Sequence, residues 1–193
     1  MTEILVWALS PKYSTLDFPD CPRGMTLDQK INVFEDRVSG WQIGIARAIL
    51  DCGIEHSDFA LLQILVCFFE MLGAYLSGST AKGRESRNFK EGLKATIPNI
   101  AEDAELGLDA VWKKIRNGVY HIGLVKAGVL LRCGTGRPIR FVPETNSLEV
   151  CAAELLGEIE ARFRAYVADL QNHENLQLRK CFDDRFMYDN KPP

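Results

Sequence analysis

The sequence predicts a mainly α protein, a bundle of about four to six helices with a small β-hairpin inserted. Three observations lead there. Apolar residues recur at three- and four-residue spacing along most of the chain. That period gives way to short β-like runs past the middle, around 129–142, with 147–150 a further short run. No internal repeat or low-complexity linker divides the 193 residues. A single domain is therefore expected, with a core bundle over 26–126, the hairpin within 127–150, and a C-terminal helix and tail over 151–193.

The elements follow in order. Glu3 to Leu9 is a short apolar run, either a strand or an extended arm, and Pro11, Pro19 and Pro22 punctuate the loop after it. Thr26 and Gln29 have the spacing of a capping box. The helix behind them should run to about Cys52, with Gly53 as its stop. Its apolar positions Leu27, Ile31, Phe34, Val38, Trp41, Ile45 and Ala48 alternate four and three apart, which is a heptad seam. Such a seam predicts packing inside one domain, with a coiled-coil oligomer as the rival. Ser57 stands where it can cap a central helix over about 58–76. Phe59 to Leu76 approaches the roughly 18–20 residues of a membrane span. Gln63 and Glu70 give it a thin polar seam, so it reads as the buried centre of a bundle rather than a span.

Leu76-Ser-Gly-Ser-Thr80 breaks that helix, and the polar, basic stretch to Arg87 reads as a loop. A shorter helix over about 86–96 is marked by Phe89, Leu93 and Ile97 and ends before Pro98. A further helix is expected over about 104–126. Val129–Cys133 and Pro138–Val142, joined by Gly-Thr-Gly-Arg, read as the hairpin. Ser147–Val150 adds an edge or starts the next helix. From Ala152 the residues Leu155, Leu156, Ile159, Phe163, Tyr166, Val167 and Leu170 form one amphipathic face, and a short helix can follow in the tail.

Composition bounds the function. Hydrophobic residues make up 47% and charged residues 25%, which is an ordinary globular balance. A net charge of -3 argues against a broad basic coat for nucleic acid, while leaving room for a local basic site. Two local concentrations exist: Lys82, Arg84, Arg87, Lys90 and Lys94, and Lys113, Lys114 and Arg116. The first reads as a solvated loop that could touch a phosphate backbone. The six cysteines form no C-x-x-C pair and have no histidine at zinc spacing, so core thiols and no metal are expected. With no signal-peptide pattern at the start, a cytoplasmic setting without a membrane is expected.

Chemistry concentrates in one helix. Leu108, Val111, Trp112, Ile115, Val119 and Ile122 share one face, and Lys113, Arg116, Asn117, Tyr120 and His121 share the other. Histidine, with a reference pKa of about 6.5, suits proton transfer in either direction. Arginine keeps its charge and forks hydrogen bonds onto phosphate. Asn117, one turn before His121, can orient the imidazole or a substrate. Tyr120 can stack a base, and Lys113 adds charge. Gly118 removes a side chain so that a backbone or a nucleotide can come near. Among the other histidines, His56 is read as a cap and His173 as a surface residue. Glu70 could reach the cleft and hold His121, or pair with a cation such as Arg47. Gly134 to Arg137 is a turn, too short for a phosphate loop.

Arg116-Asn117-x-x-x-His121, inside a helix with an apolar flank, resembles the motif of the HEPN family. The Arg–His spacing alone is a weak pattern, and the asparagine, the helix and the opposed apolar face sharpen it. The resemblance covers the motif helix and, more loosely, the bundle before it. It implies a small helical protein, in many members a metal-independent ribonuclease of toxin and defence systems. It also implies RNA as substrate and a homodimer in which two Arg–His sets share a cleft, because one histidine cannot easily serve as both base and acid. Arg116, Asn117 and His121 carry over as catalytic residues, with no cofactor. An antitoxin or regulatory protein is a further expected partner. The tyrosine that some members carry two residues past the histidine is Gly123 here, so regulation by nucleotide addition there is not expected. The alternative is a non-catalytic helical module that binds nucleotides or a partner protein.

Overall fold

Helix α3 (Asp58–Ser77) sits at the centre, and the other helices are arranged around it. A computed structural model describes residues 6–101, 105–132, 134 and 136–191. The order along the chain is α1 (Leu27–Val38), a π turn (Ser39–Ile43), α2 (Gly44–Asp51), α3, α4 (Glu85–Thr96), α5 (Glu105–Val111), a second π turn (Trp112–Arg116) and α6 (Asn117–Ile122). Strands β1 (Val129–Leu131), β2 (Ile139–Val142) and β3 (Ser147–Val150) follow, then α7 (Ala152–Gln171) and α8 (Leu176–Asp189). The protein is thus a mainly α bundle with a small sheet.

The length and apolar character of α3 would suffice to cross a membrane, yet more than half of it is buried inside the protein. Leu61, Leu62, Leu65, Phe68, Phe69 and Leu72 lie against α4, α7 and α8. Burying side chains of this size contributes roughly 1.5–3 kcal/mol each. The approach to α4 is set by two glycines. A Cβ on Gly73 would stand 1.8 Å from the Asn88 carbonyl oxygen, and one on Gly92 would stand 1.9 Å from that of Phe69. Behind α3, Phe34 packs its ring 4.4 Å from Tyr75 and 5.3 Å from Phe182, joining α1, α3 and α8.

Helix α1 opens with the expected capping box: Gln29 N–H donates to the Thr26 hydroxyl and Thr26 N–H donates to the Gln29 side chain. The heptad seam, however, stops at Val38. The π turn inserts one residue into the helical phase, seen where Gly44 N–H donates five residues back to Ser39. The inward positions become Ile43, Ala46 and Leu50, while Trp41, Ile45 and Ala48 are exposed. Ser57 occupies the N-cap position of α3, but its side chain makes no capping bond. His56 is exposed, with φ at 63°, and is not the cap.

The strands pair differently from the expected hairpin. The sheet order is β1-β3-β2, so Val129–Leu131 and Ile139–Val142 do not pair with each other. Ser147–Val150 is the middle strand, parallel to β1 (Val129 opposite Leu148) and antiparallel to β2 (Ile139 opposite Val150). The tight reversal falls at Pro143–Thr145, where Asn146 takes φ at 48°. Leu148 and Val150 are buried, which gives the central position to the strand with the most to hide. Of the N-terminal run, Glu3 to Leu5 lie outside the described residues, and Ala8 forms a single bridge with Ser14. Cys133 also lies outside them. The remaining five cysteines are free thiols, Cys151 buried and Cys52 exposed.

Candidate functional site

The motif helix is built from α5, the second π turn and α6, and ends at Gly123 rather than near residue 126. Ala104, where the helix was expected to begin, lies outside the described residues. Val111 and Ile115 are fully buried and fix its inner side. Gly123 takes φ at 69° and closes the last turn through its N–H to the Val119 carbonyl, 3.1 Å away. The Gln63 side chain of α3 donates to the Gly123 carbonyl at 3.2 Å. The chain then folds back along the helix. A Cβ on Gly118 would stand 2.5 Å from the Leu124 carbonyl oxygen, so the close approach expected at this glycine is made by backbone. Lys126 N–H donates to the Lys114 carbonyl at 2.8 Å, and the Lys114 ammonium donates to the Asn146 carbonyl, tying the helix to the sheet.

The π turn decides how the polar stripe is stacked. In an α-helix, four residues overshoot one 3.6-residue turn, and in the wider π turn they fall short of one. Trp112 to Arg116 spans the π turn and Arg116 to Tyr120 spans an α turn, so the two deviations offset each other. The three side chains form a column. The Arg116 guanidinium lies 4.6 Å from the Trp112 ring centre and 4.2 Å from that of Tyr120. Contacts of this kind contribute about 0.5–2 kcal/mol each.

The same guanidinium is held from α3. Its Nε and Nη2 both donate to Glu70 Oε2, at 3.1 and 2.7 Å. The Arg116 side chain is 13% exposed, which makes it an anchored cation rather than a swinging one. Glu70 therefore pairs with Arg116 and not with His121, while Arg47 pairs with Glu160 on α7 at 2.7 Å. The Tyr120 hydroxyl donates to the Cys67 sulfur at 2.9 Å. Burial, then the bond to the thiol, pushes the Tyr120 phenol far above its ordinary range, so it stays a donor.

The other expected site residues are placed less tightly. His121 is exposed and Asn117 half-buried, and neither side chain makes a hydrogen bond among the described residues. Asn117 thus does not hold the imidazole within the protomer. Lys113 is exposed and lies 3.4 Å from Asp109, one turn earlier, which also takes Lys90. Arg87, expected to end a basic loop, lies on α4, which begins at Glu85, and pairs with Glu91 one turn on at 2.7 Å. Of the expected site, the structure brings Arg116 and Tyr120 into contact, keeps Asn117 and His121 on the adjoining α turn, and leaves Lys113 at the rim.

Two residues that the sequence reading did not assign to the site belong to it. Trp112, counted only as core, forms one wall of the guanidinium slot. Cys67, counted only as a core thiol, receives the Tyr120 hydroxyl. The signal for Glu70 was present, since a carboxylate in an otherwise apolar helix needs a cation, but its partner lies 46 positions away. Among the described residues, no cluster of His, Cys, Asp or Glu has the proximity to hold a metal ion. Comparison with protein-family models, curated proteins and solved structures returned no match for this chain.

Proposed function

We propose that the chain is one protomer of a homodimeric, metal-independent endoribonuclease of the HEPN type. The observation that carries this reading is an anchored guanidinium next to an exposed imidazole on one helix. Arg116 is fixed by Glu70 and two rings, and His121 is exposed on the next turn with no partner among the described residues. Arg116 Nη1 is not engaged by Glu70, so it is left to meet a phosphate oxygen. In a twofold pair, one His121 takes the proton from a ribose 2′-hydroxyl as its oxygen bonds to phosphorus. The P–O5′ bond breaks, and the other His121 gives a proton to the leaving oxygen. The products are a 2′,3′-cyclic phosphate and a 5′-hydroxyl. Asn117 positions the substrate, and Lys113 adds charge at the rim. A regulatory protein or antitoxin would act by covering this face.

The test is RNA incubated with the protein in excess chelator. Cleavage to cyclic-phosphate ends is expected. His121→Ala should slow it about 10²–10⁴-fold, the usual worth of a positioned acid or base, with circular dichroism and Tm unchanged. RNA left intact at high protein concentration would rule the reading out.

One observation favours a second reading. The Glu70 carboxylate neutralises Arg116, which weakens its pull on a phosphate. A non-catalytic module that binds a nucleotide or a partner protein would carry the same ion pair. It would give a stable complex or dimer and no cleavage in the same assay.

A further inference from the structure

A cavity of about 340 Å³ opens beside the motif helix, between α3, the connector Thr80–Lys82, the start of α4 and the end of α8. Its size falls at the lower end of small-ligand clefts, about 300–1,000 Å³. Glu70 and Tyr120, the residues that hold Arg116, are also part of its wall. A group seated in it would lie next to the anchored guanidinium.

The wall has a definite chemistry. Tyr75, Tyr120 and Tyr188 supply aromatic surface. Asn88 is 7% exposed, and its Oδ1 has no hydrogen-bond partner among the described residues. A buried acceptor left unpaired is unfavourable, and a ligand N–H would restore the missing bond. Glu70 uses Oε2 for Arg116, and Oε1 has no partner among the described residues. The cations are mostly engaged: Arg185 donates from Nη1 to the Ser79 carbonyl at 2.6 Å and pairs with Asp189 at 2.6 Å. Two acceptors, Asn88 Oδ1 and Glu70 Oε1, are thus open among the described residues and suit a flat ligand with N–H groups on one edge, while the Lys82 ammonium on the same wall makes no ion pair among them.

We propose that this cavity is a pocket for the guanine base of the RNA whose phosphate meets Arg116, a proposal that rests on the nuclease reading above. Single-stranded bases are read by stacking on aromatic side chains and by hydrogen bonds to their Watson–Crick edges. Guanine alone among the RNA bases carries two adjacent N–H donors there, N1–H and the 2-amino group, matched to the two open acceptors, Glu70 Oε1 and Asn88 Oδ1. Adenine, cytosine and uracil each offer one donor position on that edge.

The experiment measures binding of the four nucleoside monophosphates to the intact protein by calorimetry, together with mapping of cut sites in RNA. GMP should bind at least tenfold tighter than AMP, CMP or UMP, and cuts should fall beside guanosines. Asn88→Leu should weaken GMP at least tenfold while Tm holds or rises, because it removes an unpaired buried amide; a residue with a purely structural role would lower Tm instead. Ala81→Trp, at the exposed mouth, should block GMP without touching the core. His121→Ala should cut RNA at least about 10²-fold more slowly and still bind GMP. GMP binding without RNA cleavage would keep the pocket, make its occupant a free guanine nucleotide and reject the nuclease reading. Four nucleotides bound equally, none bound, or GMP unaffected by both pocket variants would overturn the pocket, whether or not RNA is cut.

Discussion

The π turn Ser39–Ile43 carries Trp41 and Ile45 out to solvent, whereas the π turn Trp112–Arg116 brings two rings onto one guanidinium. Each turn adds one residue to the helical phase, yet the consequences differ because the neighbours differ. In the first helix, the residues thrown outward meet no partner: Trp41 is 48% exposed and Ile45 50%. In the motif helix, the displaced positions meet Glu70 on α3 and Phe89 on α4, whose ring lies 5.3 Å from Trp112. The same backbone irregularity leaves one surface apolar and makes the other a polar slot. Mid-helix π turns recur at functional sites, and only the second here assembles charged and aromatic groups.

The two tryptophans break or sharpen this contrast most strongly. Trp112→Ala should cost about 3 kcal/mol, at the low end for a large aromatic because Trp112 is only partly buried. Trp41→Ala should change the unfolding free energy measured in urea by less than about 0.5 kcal/mol. Equal losses would mean that the turns do the same structural work. Arg116→Ala comes next, at about 2 kcal/mol. It removes the ion pair and both ring contacts and leaves Glu70 half-buried without its cation. The same substitution should free the Tyr120 ring, read as a change in its NMR ring shifts.

The smallest effect lies in acid. The hydrogen bond from Lys90, with its charge and Lys113 adding to it, holds the Asp109 carboxyl below its ordinary range against the opposing effect of burial. Its contribution is therefore present above the unfolded value of about 3.9 and fades as pH falls through the lower folded value. Asp109 is 41% exposed, so solvent screens most of it. The stability gap between the parent and Asp109→Asn, measured by urea, should be small at neutral pH and should close below about pH 4. A gap that widens in acid would contradict the assignment.

Much of the architecture was legible because local signals agreed with one another. The capping box at Thr26 and Gln29, the nearly all-round apolar α3 and the periodic face of α7 from Ala152 each announced one element, and each is present. The first π turn was not legible. Trp41, Ile45 and Ala48 continue the heptad in composition, and nothing local says that the backbone steps by one residue. The strand pairing misled for a related reason. Gly134-Thr-Gly-Arg is the stronger turn signal, but Pro143–Thr145 makes the tight reversal, because Leu148 and Val150 must be covered on both flanks.

The polar stripe itself was readable as the outer side of an amphipathic helix. Its rigidity was not, since Glu70 and Cys67 reach it from α3. Spacing along one helix says which residues share a side. It does not say which of them another helix will clamp. Here the clamp falls on Arg116, while His121 stays open to a second molecule.

The central claim is that this open side is completed by a second copy of the chain. The direct measurement is specific ribonuclease activity in chelator as a function of protein concentration, set beside the monomer–dimer equilibrium from sedimentation. The account predicts activity per chain that rises in step with the dimer fraction and vanishes for the monomer. Activity per chain that stays constant into the monomer range, or a dimer that never cuts RNA, would contradict it.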